Sequence, residues 1–168
     1  MMNRLRIRQP ARCALFALCA ALSMTVSAAE TAIVTVMVTV IAPPPCVING
    51  NRTIDVDFGN VTTTDVNGEN YLRTVNYTLE CDSGAPKAMK MAIMGTPTLF
   101  DNSALQTNVT DFGIALRANG MPLPINNGWI NFTWPNNPVL QAVPVKRAGV
   151  ALKGGGFRAG ATLLADYQ

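Results

Sequence analysis

The sequence predicts an all-β fold, a β-sandwich of immunoglobulin type. About seven short segments alternate apolar and polar residues, and turn-forming residues separate them every ~8–12 positions, as in such sandwiches. No segment of helical length carries the apolar periodicity of a helix. Roughly 140 residues follow the first 28, which suits a single domain with one core.

Each strand candidate places its apolar residues on one face. The faces are Ile54, Val56 and Phe58 in 52–58; Val75, Tyr77, Leu79 and Cys81 in 71–81; Met89, Met91 and Ile93 in 87–94; Phe112, Ile114, Leu116 and Ala118 in 112–118; and Ile130, Phe132 and Trp134 in 129–134. Residues 47–51 predict a short strand that runs into a turn, and 157–168 predict a final strand.

Polar or turn-forming residues join these strands. Segments 62–70 and 99–110 are polar and predict loops, and Asn119 with Gly120 predicts a hairpin turn. Two prolines interrupt 121–125, so we expect that segment at a sheet edge. Residues 139–152 predict one or two further strands.

The first 28 residues predict a secretory signal peptide. Four arginines precede an apolar run at 13–26, and Val26, Ser27 and Ala28 give the small-residue pattern of a cleavage site. The run is shorter than the ~20 residues of a transmembrane helix. We therefore expect export, with cleavage after Ala28 or one residue later.

Removal of the signal peptide changes the charge of the chain. Four of the 13 Lys and Arg residues lie in it, and the remaining 9 against 10 Asp and Glu give a net charge of about −1. No basic patch remains that would predict binding to nucleic acid or to an anionic membrane. Charged residues are only 14% of the chain, which favours a subunit buried in an assembly.

Two cysteines remain after the expected cleavage, Cys46 and Cys81. One pair in an exported chain predicts one disulfide, formed in an oxidising compartment such as the bacterial periplasm. Because Cys81 shares the apolar face of its strand, we expect this disulfide to be buried.

Residues 31–41 form an alternating apolar segment that is set apart from the predicted domain. Residues 43–45 are all proline, which lacks a backbone donor and favours an extended conformation. A strand held away in this manner offers unpaired backbone groups and an apolar face to another chain. We expect such pairing to be its function; the alternative is an ordinary core strand of its own domain.

The sequence offers little for catalysis. It contains no histidine, which removes Ser-His-Asp and Cys-His arrangements and most zinc sites. Asp55 and Asp57 share one strand face and are expected to be its solvated side. We expect no enzyme activity, no cofactor, no metal and no small-molecule substrate.

One ordered set of motifs covers the whole chain after the signal peptide. It consists of the extension that ends in proline and cysteine, Cys46-Val47-Ile48-Asn49, Ile54-Asp55-Val56-Asp57-Phe58-Gly59, Cys81, and a last segment from Gly156 to Gln168. Together these motifs resemble the pilin subunits of chaperone–usher fimbriae, of the type 1 and P fimbria kind. The family's C-terminal glycine and penultimate tyrosine are met by Gly155 and Tyr167, which locally are also compatible with a loop glycine and a packed aromatic residue.

The resemblance implies an incomplete immunoglobulin-like sandwich that lacks its last strand. In this family a periplasmic chaperone lends that strand, and at an outer-membrane usher the N-terminal extension of the next subunit replaces it. The implied organisation is a signal peptide at 1–28, a donor-strand extension at 29–45 and a pilin domain at 46–168. The implied groove strand, which the chaperone contacts, comprises Gly155, Phe157, Ala159, Ala161, Leu163, Ala165, Tyr167 and Gln168.

Two registers remain open for the donor strand. The family's donor glycine corresponds to Thr39 here, and its spacing would insert Ile33, Thr35, Met37, Thr39 and Ile41. We favour the more apolar opposite face, Val34, Val36, Val38 and Val40. An extra proline before Cys46 can shift the register by one residue, and such a shift exchanges the two faces.

The implied function is that of a structural subunit of a surface fimbria, exported through the periplasm and joined to neighbouring pilin subunits in support of cell adhesion. The alternative is a tip subunit that binds a host glycan or receptor, with Trp129 and Trp134 as exposed candidates. Adhesins of this kind carry an additional receptor domain, for which roughly 140 residues leave no room. We therefore expect a minor or adaptor subunit.

Overall fold

The computed structural model describes residues 46–168, which form ten β-strands and two single turns of 3-10 helix. The strands are β1 (Val47–Ile48), β2 (Arg73–Thr74), β3 (Leu79–Glu80), β4 (Ala88–Gly95), β5 (Ala104–Gln106), β6 (Phe112–Ala118), β7 (Met121–Pro122), β8 (Trp129–Thr133), β9 (Leu140–Lys146) and β10 (Ala161–Tyr167). Within this range no helix has the length and apolar character to cross a membrane.

The strands assemble into two antiparallel sheets and a two-stranded ribbon. One sheet has the order β10-β4-β8, and the other has the order β2-β9-β6-β5 with β7 added beside β6. The ribbon joins β1 to β3. Apolar residues of both sheets meet in one core, which includes Met91 of β4, Leu116 of β6 and Leu140 of β9. The predicted all-β sandwich is confirmed.

The central strand of the larger sheet, β6, is buried on both faces. Ile114, Leu116 and Ala118 belong to the main core, as their alternation predicts. On the other face Ala115 packs with Ala104 and Val143 in a second apolar cluster. The sequence pattern missed this second face because alanine does not mark a strand face as strongly as larger apolar residues do.

The predicted hairpin turn joins β6 to β7. Ala118 pairs with Met121, so Asn119 and Gly120 are the two turn residues, and both have positive φ (49° and 82°). Asn-Gly is the favoured sequence for such a two-residue turn. Within the described range, β7 pairs with β6 alone, which confirms the expected edge position.

Two of the loop and strand assignments are corrected. The segment 99–110, expected to be a polar loop, contains the strand β5, because three residues are too few to show an alternating pattern. The segment 71–81, expected to be one strand, pairs at two separate places: β2 joins the larger sheet, and β3 joins the ribbon. Residues 139–152 contain one strand, β9.

The predicted disulfide between Cys46 and Cys81 is present and closes a loop with a sequence separation of 35. Both cysteines are half-buried, so the expectation of a buried bridge was too strong. The ribbon that carries them lies at the border of the core, where Met89 contacts both sulfur atoms at 3.9 and 3.8 Å. In the chain-entropy model such a loop contributes about 4 kcal/mol to stability.

Tyr77 joins the segment after β2 to the loop before β9. Its ring is half-buried, and its hydroxyl donates a hydrogen bond to the carbonyl oxygen of Pro138 at 2.6 Å. Burial raises the pKa of Tyr77 from 10.0 to about 12. Because the folded pKa lies above the unfolded one, this stabilisation is complete below pH 10 and is lost as the pH rises through about 12.

We expect the stability difference between the wild-type chain and Tyr77→Phe to be constant near neutral pH and to shrink between pH 10 and about 12. Urea denaturation of both proteins across this range measures the difference. The two proteins differ by one ionisable hydroxyl, so the effect of all other titrating side chains cancels in the stability difference. A difference that is the same at both ends of the range would contradict the burial of this phenol.

Candidate strand-binding groove

An elongated groove of about 990 Å³ runs between two segments of the chain. One wall is formed by residues 52–61 and the other by residues 152–163. The floor between them consists of core side chains from both sheets, namely Ile93, Leu105, Phe112, Ile114, Leu116, Leu140 and Ala142. The groove therefore exposes part of the apolar core along its length.

The first wall has the alternating residue pattern of a strand, but among the described residues its backbone is not paired with a neighbouring strand. Phe58 is buried and Ile54 and Val56 are half-buried, whereas the intervening Asp55 and Asp57 are exposed, as the alternation predicts. Among residues 46–168, however, no β-ladder includes any residue of 52–61. The wall thus has the side-chain orientation of a sheet strand and an open backbone edge.

The second wall leads into β10, which pairs with β4 along its whole length. Within the described range β4 is the sole partner of β10, so the other backbone edge of β10 is open, and residues 161–163 of that strand border the groove. Leu163 lies half-buried in the groove, whereas Ala159 and Ala161 line it and remain exposed. Small side chains at these two positions leave room for those of an incoming segment.

The two walls contact each other through aromatic side chains. Phe157 lies 6.0 Å from Phe58 of the first wall and packs edge-on against Phe112 of the floor, with ring centroids 4.8 Å apart. The Arg158 amide donates to the side-chain oxygen of Asn108 at 2.7 Å, and the Asn108 side chain donates to the Gly156 carbonyl oxygen at 3.2 Å. The segment 156–158 of the second wall is therefore held by both apolar and polar contacts.

The chemistry of the groove suits an extended apolar segment. Its floor is apolar, and both long walls present backbone edges that can take up the N–H and C=O groups of a further strand. Among residues 46–168 no three His, Cys, Asp or Glu side chains are grouped as a metal site would require.

Comparison with known proteins assigns the chain to a family. A family model described as fimbrial protein matches residues 34–168. The chain belongs to the fimbrial protein family. The matched range includes the segment 34–41, which is part of the predicted donor strand.

The sequences of other fimbrial proteins align with most of this chain. The fimbrial-like protein YfcR of Escherichia coli K12 is 38% identical over 131 residues, which are 76% of this chain and 75% of YfcR. The minor fimbrial protein PrsF of Escherichia coli is 32% identical, over 74% of this chain and 81% of PrsF. The Escherichia coli fimbrial adapter PapF is 30% identical over the same shares. The family is one of structural pilus subunits.

Solved structures of fimbrial subunits share the fold. The P pilus adaptor subunit PapF superposes with a TM-score of 0.55 at 28% identity, over 76% of this chain and 98% of that one. The P pilus rod subunit PapA gives a TM-score of 0.58 over 80% of this chain and 99% of PapA. At 20% identity the likeness to PapA concerns the fold alone. These neighbours confirm the immunoglobulin-like sandwich of a pilin subunit.

The structure divides the predicted groove strand into two parts. Gly155, Phe157, Ala159, Ala161 and Leu163 line the groove. Ala165, Tyr167 and Gln168 lie beyond it, toward the disulfide: the Tyr167 hydroxyl donates to Cys46 Sγ at 3.3 Å, and the Gln168 amide donates to the Ala88 carbonyl oxygen at 3.1 Å. Both faces of the predicted donor strand, residues 33–41, fall outside the described residues.

Sequence reasoning missed the role of residues 52–61 as the opposite wall. Their alternation was recognised, but a strand pattern does not reveal that the strand lacks a partner.

The expected exposure of one of the two candidate tryptophans is wrong. Trp134 is not an exposed side chain: it is half-buried, and its indole N–H donates to the Leu79 carbonyl oxygen at 3.3 Å. Trp129 is exposed, with the Lys90 ammonium 5.1 Å from the centre of its ring.

We expect Phe157→Ala to lower the free energy of unfolding by about 2–4 kcal/mol, because it removes the ring that joins the first wall to the floor. Urea denaturation of the full chain measures the loss. Leu99→Ala is the control, since Leu99 is 96% exposed and should change stability by less than ~0.5 kcal/mol. Equal effects of the two substitutions would show that Phe157 does not hold the walls together.

Proposed function

We propose that this chain is a structural subunit of a surface fimbria whose groove is filled by a β-strand from another polypeptide. The observation that carries the proposal is the pair of open backbone edges on either side of an apolar floor. A strand inserted there would pair with β10 on one side and with residues 52–61 on the other. It would also cover the exposed Ala159 and Ala161.

The energy available from such insertion is sufficient for a stable joint. Burying four or five apolar side chains, at ~1.5–3 kcal/mol each, gives on the order of 10 kcal/mol before the cost of ordering the strand. The backbone hydrogen bonds on both edges add specificity for an extended conformation. A joint of this kind would dissociate slowly.

The donor in the assembled fibre is the N-terminal extension of a neighbouring subunit, and this chain's residues 29–45 serve another subunit in the same manner. The family match begins at residue 34 and so includes most of this extension. We place Val34, Val36, Val38 and Val40 toward the floor of the acceptor groove, because this face is the more apolar one.

Before assembly, a periplasmic chaperone occupies the groove and delivers the subunit to an outer-membrane usher. This proposal includes the signal peptide at 1–28 and a path through the periplasm to the cell surface, where the fimbria supports adhesion. The edge of β10 is the surface that the chaperone pairs with, and its end is fixed near the disulfide through Tyr167 and Gln168.

Within the fibre we assign the chain to a minor or adaptor position. The relatives PrsF and PapF are named a minor fimbrial protein and a fimbrial adapter. A glycan-binding tip role gains no support from the aromatic residues, since the Trp134 indole is engaged within the fold and the Trp129 ring carries Lys90.

We expect deletion of residues 31–41 to leave a subunit that folds with the chaperone but cannot fill its neighbour's groove. The measurement is the ladder of detergent-resistant polymers on gels without boiling, together with recovery of the subunit–chaperone complex. Normal incorporation of the deleted subunit, at a position where it must donate a strand, would contradict the proposal.

Two matched variants serve as the control for the deletion and decide the register. Val36→Asp places a charge on the favoured inserting face and should block polymer formation, because an unpaired carboxylate would be buried in the groove. Met37→Asp places the same charge on the opposite face and should be tolerated. The reverse outcome would assign the other register.

A further inference from the structure

The outer face of the smaller sheet carries a continuous apolar strip that runs from β10 to β8. Leu164 of β10 pairs directly with Ala92 of β4, and Ala92 pairs directly with Trp129 of β8. Directly paired residues project from the same face of a sheet, with Cβ atoms ~4.5–5.5 Å apart. Met94 lies two residues after Ala92 in β4 and so shares this face. We call these four residues the outer apolar strip.

The outer apolar strip faces away from the core. Leu163 and Ala165, the neighbours of Leu164 in β10, pack against the main core, so the Leu164 side chain projects from the other face. Leu164 is 39% exposed, Trp129 is 45% exposed and Met94 is 37% exposed. Three of the exposed large apolar residues between 46 and 168 therefore lie together on one sheet face.

The outer apolar strip extends to the open backbone edge beside the groove, because Leu164 belongs to β10. A strand that pairs with this edge places alternate side chains on the two faces of the enlarged sheet. One set covers the floor of the groove. The other set lies directly beside the outward residues of β10, which are Thr162, Leu164 and Asp166. The occupant of the groove therefore meets apolar side chains on both of its faces.

The predicted donor segment is long enough to reach Leu164. Residues 31–41 number eleven, and at ~3.3 Å per residue an extended strand of this length spans about 36 Å. β10 has seven residues. A donor of eleven residues can therefore pair along the whole of β10 and still extend beside Ala159.

The charges on the outer face favour an uncharged donor. Asp166 is the one charged residue of β10, and its carboxylate already lies 3.4 Å from the Lys90 ammonium. Residues 31–41 contain no charged side chain. When the four valines of this segment lie in the groove, its outward residues are Ile33, Thr35, Met37, Thr39 and Ile41. This outward face is uncharged and carries three large apolar side chains.

We infer that the neighbouring subunit's extension that fills this groove is apolar on both faces, and that its outward residues pack on Leu164. The inference rests on the proposed strand insertion and adds to it a contact outside the groove. Leu164 then discriminates between donor strands. A donor with polar outward residues covers the floor equally well but leaves Leu164 exposed to water.

A peptide competition tests this discrimination. The complex of the full-length subunit with its chaperone is incubated with an equimolar mixture of two synthetic peptides in large excess. The native peptide has the sequence of residues 29–45. The substituted peptide keeps all four valines and carries serine in place of Ile33, Met37 and Ile41. Mass spectrometry of the subunit, after free peptide is removed, measures the ratio of the two bound peptides, and we expect the native peptide to be preferred.

Leu164→Thr is the test variant, and Met121→Thr is its matched control. Met121 is an exposed apolar residue of β7, in the larger sheet, and threonine retains strand propensity at both positions. Neither residue lines the groove, so the floor is the same in all three proteins. We expect Leu164→Thr to lower the preference for the native peptide about threefold, the size expected of one cross-strand apolar contact. Met121→Thr should leave the preference unchanged.

The outcomes separate the two proposals. Uptake of both peptides in the same ratio by the wild type and by Leu164→Thr would overturn the outward contact and leave strand insertion intact. An equal loss of preference in Met121→Thr would also overturn it, because the loss would then not arise at β10. If the wild-type subunit takes up neither peptide, strand insertion is overturned and the outward contact with it.

Discussion

The rest of the structure depends on the backbone edge of β10 that has no partner among the described residues and lies beside an exposed part of the apolar core. On one edge β10 is paired with β4, and its other edge faces the first wall across an apolar floor. The two walls are not paired with each other through the backbone among the described residues: β10 pairs with β4, and the first wall contacts the second through the rings of Phe58 and Phe157. The chain belongs to a family of pilus subunits, and under the proposed function a strand from another subunit would close this groove.

The larger sheet provides the rigid support on which this incomplete side rests. β6 pairs with β9 along seven residues and with β5 and β7 on its other edge. The small cluster of Ala104, Ala115 and Val143 covers the outer face of the same sheet. Most of the floor of the groove therefore lies on the best-paired part of the larger sheet.

Much of the fold could be predicted from the sequence, because the alternation of large apolar side chains reports directly on strand faces. Met89, Met91 and Ile93 follow this rule and are buried. The turn at Asn119 and Gly120 could also be predicted from the sequence, because its positive φ angles favour those residue types. Short strands such as β5 could not be predicted, because three residues are too few to show an alternating pattern.

The candidate site was harder to predict from the sequence than the fold. Sequence reasoning identified β10 as one wall from its C-terminal motif, but the opposite wall looked like any paired strand. The inward orientation of Trp134 depends on a carbonyl group of β3, more than 50 residues earlier in the chain, and no local pattern encodes such a contact. The alternation within one strand gives no information on contacts between segments that are distant in the sequence.

The open backbone edge of residues 52–61 also has a dynamic consequence. Amide protons in β6 are held in ladders on both sides and exchange with water only when the sheet opens, whereas those of the first wall have no ladder to protect them among the described residues. Local fluctuations should therefore concentrate beside the groove. Under the proposed function, a strand that pairs with this wall would protect its amide protons and slow their exchange with water.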